Sequence, residues 1–193
     1  MDLRGAKRAA RRAAKDRRAR LSAAMRKRAA KMVCDRLARL LGAPDGRVLA
    51  GFWPLHDEVD LRPALVDWHR AGGAVLLPRV QGPDAPLTFH RWTPGTALIA
   101  GAFGVQEPAA DALSGTPDVL LVPLLAADLD GYRLGYGGGY YDRTLAGDRP
   151  ALVVGVAFEA QVVTRLPRDR FDQPLTHLVT DVQLRSFDAS PGA

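Results

Sequence analysis

The chain has 193 residues, 47% hydrophobic and 25% charged, enough to bury one sizeable core, and its single cysteine, Cys34, excludes an internal disulfide framework and a cysteine-rich zinc site. The formal net charge of +6 is unevenly placed: residues 1–36 hold 14 Lys/Arg against 3 Asp/Glu, whereas residues 37–193 hold 13 against 18. No apolar run is long enough to span a membrane and the first residues lack the apolar core of a secretory signal, so the expectation is a cytoplasmic, soluble monomer with no membrane partner.

In chain order, residues 3–20 are dense in Ala and Arg, both strong helix formers, and offer little apolar surface. They predict a basic helix with a thin contact face. Ser22 suits the cap of a second helix, in which Leu21, Met25, Met32, Val33, Leu37, Leu40 and Leu41 follow helical spacing until Gly42 and Pro44 stop the run. Cys34 lies in this helix and reads as inert packing. Residues 48–53 predict a strand ended by Pro54, residues 61–71 a helix closed by Gly72 and Gly73, and residues 74–79 a second strand. This is a βαβ unit, whose strands are parallel. Residues 87–92 alternate as a half-exposed strand, and residues 93–117 read as a long ordered excursion.

The stretch 119–143 organises the rest. Residues 119–125 form an apolar run of the length and β-branched character of a buried strand, a turn follows at 128–131, and Arg133 precedes glycines 135, 137, 138 and 139. Tyr140-Tyr-Asp-Arg-Thr-Leu145 then opens a helix that Gly147 ends. Glycines admit an anion close to the backbone, and a helix N-terminus favours negative charge. Arg133 is placed to clamp phosphate oxygens bidentately, and Asp142 to hold a divalent cation. The loop is neither a Walker A loop nor a dinucleotide fingerprint. A flexible loop beside core tyrosines and a surface Arg–Asp pair is the competing reading.

Beyond the loop, residues 151–158 predict another buried strand, 159–166 a short helix, 178–180 a last strand, and 186–193 a fraying tail. Strands alternating with helices give one domain over 1–193, a three-layer α/β/α sandwich around a mainly parallel sheet. In such sheets ligands sit beyond the carboxyl ends of the strands. Those ends carry Trp53 with Glu58, Pro78 with Arg79, and the glycine loop. Taken alone, Glu58 reads first as a solvated loop carboxylate, and none of the four histidines has metal-site or triad partners. A module that grips RNA or a nucleotide through the basic N-terminal segment is the alternative function, although no aromatic-and-basic recognition motif accompanies it.

The order Arg133-Leu-Gly-Tyr-Gly-Gly-Gly-Tyr-Tyr-Asp142 resembles the signature of the 5-formyltetrahydrofolate cyclo-ligase family. The resemblance extends to Lys7 and Arg11, Phe52 through Glu58, Leu76-Leu-Pro-Arg79, Phe103-Gly-Val-Gln-Glu-Pro108, Gly155-Val-Ala-Phe-Glu-Ala-Gln161 and Asp172. It departs from the family's usual residues at Leu61, Ala127, Phe171 and Thr176. The resemblance implies a Rossmann-like, CoA-transferase-like fold and an ATP- and magnesium-dependent conversion of 5-formyltetrahydrofolate to 5,10-methenyltetrahydrofolate with release of ADP and phosphate. It implies that the formyl oxygen takes the γ-phosphoryl group, that the amine at position 10 attacks, and that phosphate leaves. Lys7, Arg11, Arg133, Leu134, Gly135, Tyr136, Gly137, Gly138, Gly139, Tyr140 and Tyr141 would then bind ATP, with Arg133 and Tyr140 catalytic. Asp142 and Asp172 would ligate magnesium. Trp53, Glu58, Tyr136, the glycines 137–139 and Tyr140 would hold the folate, whose polyglutamylated form suits basic surface. Nucleic acid is not an expected partner on this reading.

Overall fold

Residues 2–147 and 149–187 are described by a computed structural model. Its main sheet contains β1 (Val48–Ala50), β2 (Ala74–Val80), β3 (Leu87–Trp92), β4 (Ser114–Gly115), β5 (Val119–Pro123), β6 (Leu152–Val156), β7 (His177–Val179) and β8 (Leu184–Ser186). The order across the sheet is β8-β7-β6-β5-β1-β2-β3-β4. The inner strands β7, β6, β5, β1 and β2 are mutually parallel, and β3, β4 and β8 join at the edges as antiparallel strands. The fold is α/β with a mainly parallel sheet, as the alternating pattern predicts.

Inner strands read as continuous apolar runs because both faces of the sheet are covered. Side chains alternate between two separate cores. Leu49, Val75, Leu77, Leu121 and Val154 face one core, which the helices α2 (Ala23–Leu41) and α3 (Arg62–Arg70) close with Val33, Leu37, Leu65 and Trp68. Ala50, Leu76, Leu120, Val122 and Val153 face the other, closed in part by Leu145 of α4 (Tyr140–Ala146). The first helix, α1 (Leu3–Ala19), lies apart from both, its buried Ala14 against Leu125, Ala126, Leu134 and Leu166.

Several expectations are corrected. The helix expected over 159–166 is a single 3₁₀ turn, Glu159–Gln161, which gives way to a short strand, Val162–Val163. The cause is Gln161, buried and turned inward, whose Nε2 donates to Leu124 O at 2.8 Å while its Oε1 accepts from Phe158 N at 2.9 Å. That side chain holds the turn, and the β-branched pair that follows favours extended backbone. Met25 and Met32 are exposed, and Ala29 and Ala30 take their expected places on the buried face of α2. Only residues 48–50 of the predicted strand 48–53 are paired as strand, with Gly51 N donating to Leu76 O beyond them. The predicted fraying at 186 does not start there, since Ser186 pairs with His177; positions 188–193 lie outside the described residues. A hairpin of Ala126–Asp128 and Arg133–Leu134 is a further element that periodicity does not show.

Gly51 leads out of β1, and a Cβ there would lie 2.5 Å from Leu65 Cδ2 of α3. Helix and strand approach that closely only because no side chain intervenes. Gly51→Ala is expected to destabilise by about 1–3 kcal/mol through overpacking, and Leu65→Ala by about 2–5 kcal/mol through a cavity. The double variant should lose clearly less than the sum, because each change relieves the other. Urea unfolding of the three variants measures this, and strict additivity would show that the two positions are not in contact.

Candidate active site

The chain runs from β1 outward to β2, then returns to the other side of β1 for β5 and continues to β6 and β7. The strand order therefore reverses between β1 and β5, and at such a switch point the connections leave in opposite directions and open a crevice at the carboxyl ends. The loop after β1 carries Glu58, and the hairpin after β5 carries the glycine loop. A cleft of about 820 Å³ opens there. It is lined by Lys7, Arg11, Trp53, Glu58, residues 133–142 and Asp172, so the residues expected to bind nucleotide, metal and folate all border one cavity, whereas Arg79 turns to the Pro108 carbonyl. Its size is that of a site for a substantial small-molecule ligand.

One side of the cleft is built from α1, the glycine loop and the segment 169–173. Lys7 Nζ donates to Asp172 at 2.6 and 2.9 Å and to Asp169 at 2.9 Å. Burial pulls its pKa down, and bonds to the two carboxylates more than offset this, leaving it raised. Arg11 Nε donates to Gly135 O at 2.9 Å, and its guanidinium would lie 3.3 Å from a Cβ on Gly137. Gly137 and Gly139 have φ of 112° and 71°, the left-handed region that a side chain resists. Two cations at this end of α1, Lys7 and Arg11, are thus turned inward onto the carboxylates and the loop, while Arg4, Arg8 and Arg12 are exposed.

Arg133 is found in a different arrangement from a bidentate clamp. It is buried, its Nη2 bonds Asp142 Oδ1 at 2.8 Å, and its Nη1 donates to the carbonyl of Gln173. Gln173 N donates to the same Asp142 oxygen at 3.1 Å. Both terminal nitrogens of Arg133 are engaged with protein, so it fixes Asp142 and the 172–173 backbone together. Asp142 and Asp172 are hard oxygen donors, and no cluster of three or more His, Cys, Asp or Glu occurs among the described residues. That set fits a magnesium ion held by one or two carboxylates and completed by phosphate oxygens and water, and not an all-protein metal cage.

The opposite side is built from the loop after β1. Glu58 Oε2 accepts from Leu55 N at 2.9 Å, and Oε1 accepts from the Tyr136 hydroxyl at 2.8 Å. Burial pushes the Glu58 carboxyl above its ordinary range, against the bonds from Leu55 and Tyr136 and the charge of Arg18. An ionised carboxylate has about four lone-pair sites, so two remain for a ligand's N–H groups. Trp53 packs edge-on to Trp92, ring centroids 5.8 Å apart. Tyr140 stands at the start of α4 with Arg143 over its ring at 4.9 Å. Tyr136 is 47% exposed, and its phenol is pushed up to about 12 by burial and by Glu58.

Two residues of this neighbourhood escape a sequence reading. Asp169 accepts from Lys7 beside Asp172, and Arg18, only 5% exposed, donates to Asp57 and to the Tyr136 hydroxyl. Arg18 is hidden among many arginines, and its only signal is spacing: Lys7, Arg11, Ala14 and Arg18 fall on one helical stripe. Cys34, as read, is a packing residue: it is partly buried, and burial pushes its thiol up to about 11.

The model of the 5-formyltetrahydrofolate cyclo-ligase family matches residues 4–181. The 5-formyltetrahydrofolate cyclo-ligase of Escherichia coli K12 is 37% identical over 139 residues, covering 68% of this chain and 76% of that one. That of Mycolicibacterium smegmatis is 35% identical over 144 residues, covering 70% and 74%. The NMR structure of Aquifex aeolicus 5,10-methenyltetrahydrofolate synthetase superposes with a TM-score of 0.82 at 34% identity, covering 97% of this chain and 95% of that one. The matched span contains every residue that lines the two sides of the cleft, and on that agreement the chain belongs to the 5-formyltetrahydrofolate cyclo-ligase family.

Proposed function

We propose that this protein converts 5-formyltetrahydrofolate and ATP to 5,10-methenyltetrahydrofolate, ADP and phosphate. The observation that carries the reading is the single cleft at the switch point, cationic and glycine-lined on one side, with Trp53 and an embedded carboxylate, Glu58, on the other. The chemistry is mainly positioning and charge neutralisation, since phosphoryl transfer leaves little covalent work to the protein.

On this reading Lys7 and Arg11 neutralise phosphate oxygens, and the glycine loop lets its backbone close around them. Lys7 exchanges part of its pairing with Asp169 and Asp172 for those oxygens. Asp142 and Asp172 would hold magnesium, which when bound neutralises phosphate charge. Arg133 keeps Asp142 in place and brings a buried positive charge to the transferring group. Glu58 accepts pterin N–H groups, while Trp53 and Tyr140 offer ring faces that bring the formyl oxygen and the position-10 amine to the phosphates. The direct test adds 5-formyltetrahydrofolate, ATP and magnesium to pure protein and follows the methenyl absorbance. Its absence, or its appearance without ATP, would sink the proposal.

Two variant sets test the assignment of sides. Glu58→Gln is expected to weaken folate about 10- to 100-fold while leaving ATP within about twofold, because a carboxylate acceptor becomes a mixed amide at a site that meets donors. Calorimetry with each ligand alone reads this, and a loss confined to ATP would place Glu58 on the wrong side.

Asp142→Asn should raise the magnesium concentration for half-activity about tenfold or more and recover with excess metal. Arg133→Ala should raise it as well, roughly 10- to 100-fold, because Asp142 loses its anchor. It should also lower turnover about 10²-fold or more at saturating magnesium, with no recovery. Initial rates against magnesium separate the two. If both variants match the parent, this side of the cleft is not the phosphate site.

A further inference from the structure

The charged groups around Glu58 extend beyond the ligand-lining residues. Lys7, Arg11, Ala14 and Arg18 are spaced by four, three and four residues, so one stripe of α1 faces the body of the protein. At about 1.5 Å per residue, Arg18 lies roughly 16 Å along the axis from Lys7. The same helix therefore serves the phosphate side at one end and the Glu58 side at the other.

Arg18 is 5% exposed, and its Nη2 donates to Asp57 Oδ1 at 2.7 Å and to the Tyr136 hydroxyl at 3.1 Å. That hydroxyl in turn donates to Glu58 Oε1 at 2.8 Å. The phenol relays the guanidinium to the carboxylate. Arg18 Nε and Nη1 are buried with no hydrogen-bond partner among the described residues. A surface anchor for α1 would not need to bury a cation with donors unmet, a costly arrangement. Its other neighbours show what it is placed against, since Arg18, Phe52, Glu58 and Gln161 line one small crevice.

We propose that Arg18 is a positioning residue for the folate-side acceptor: through Tyr136 and Asp57 it fixes the place and orientation of the Glu58 carboxylate. The inference rests on Glu58 being the pterin acceptor, as proposed above. Arg18 from α1, Asp57 from its own loop and Tyr136 from the glycine loop act on Glu58; Lys15 of α1 lies over the Tyr136 ring at 5.9 Å, and Tyr141 of α4 feels the Glu58 charge. Of the two cations, Arg18 is the one that acts on the Glu58 carboxyl. Burial raises the carboxyl and Arg18 opposes the rise. Loss of Arg18 therefore moves the protonation of Glu58 to higher pH, and folate recognition that needs the ionised form fails earlier as pH falls.

Initial rates of parent, Arg18→Ala and Arg18→Lys are measured against 5-formyltetrahydrofolate and against ATP over the acid side of neutrality. Arg18→Ala is expected to raise the folate KM about tenfold, to leave the ATP KM within about twofold, and to move the acid limb of folate kcat/KM up by roughly one pH unit. Arg18→Lys should return the limb toward the parent without restoring the folate KM, because it keeps the charge and loses the planar fork. If Arg18→Ala does not fold, Tyr136→Phe takes its place: it should raise the folate KM, and adding Arg18→Lys should then change it little further. Variants that lower only the thermal midpoint, with folate KM and acid limb unchanged, overturn the proposal and leave Arg18 a structural anchor. An active parent with kinetically silent variants overturns this inference alone, whereas a parent that neither binds nor converts folate overturns the function and this inference with it.

Discussion

Charge cannot be buried without a partner, and that constraint organises the cleft. Its walls bring together Lys7, Arg11, Arg133, Arg143 and Arg170 with Glu58, Glu107, Asp142, Asp169 and Asp172. As many cations as carboxylates line it, and the contacts are mutual: Lys7 with Asp169 and Asp172, Arg133 with Asp142. The pairs keep each group ordered in the absence of ligand. On the proposed function they would also leave exchangeable partners, a cation turning to phosphate where a metal takes its carboxylate.

The sheet supplies the fixed part of this arrangement and α1 the adjustable part. β1 and β5 are adjacent, parallel and apolar on both faces, so the positions at which their loops depart are set by the packing of two cores. By contrast α1 buries little besides Ala14 and Arg18, and polar side chains make much of its contact with the body. Packing of that kind defines orientation more than it contributes stability.

The sheet was legible because its strands are continuous apolar runs between glycine and proline stops, as at 74–80 and 119–123. The glycine loop was legible because Gly137 and Gly139 need backbone angles that few other residues adopt. The turn at 159–161 was not, because a single inward glutamine decides it, and neither was the exposure of Met25 and Met32 on a helix whose alanines pack instead. Within the site, residue types were readable but their pairings were not. The engagement of Arg133 with Asp142 and the Gln173 carbonyl depends on two segments far apart in sequence, and one arginine among the seven in residues 1–20, Arg18, is distinguished only by what it meets in space.

The bond between Lys7 and Asp172 joins groups 165 positions apart. Loop closure over such a separation is entropically unfavourable, and the strands between the two groups offset it by bringing the ends together. While the chain is being made, α1 emerges first with its cations unmatched, and the carboxylates of 169–172 follow only after β1 to β6, ahead of the last two strands. The strands β1, β2, β5 and β6 that set the switch point are therefore all made before the carboxylates that close the cleft against α1. A ligand that bridges α1 and the 169–173 segment would bind only the closed arrangement and so stabilise the whole fold by mass action.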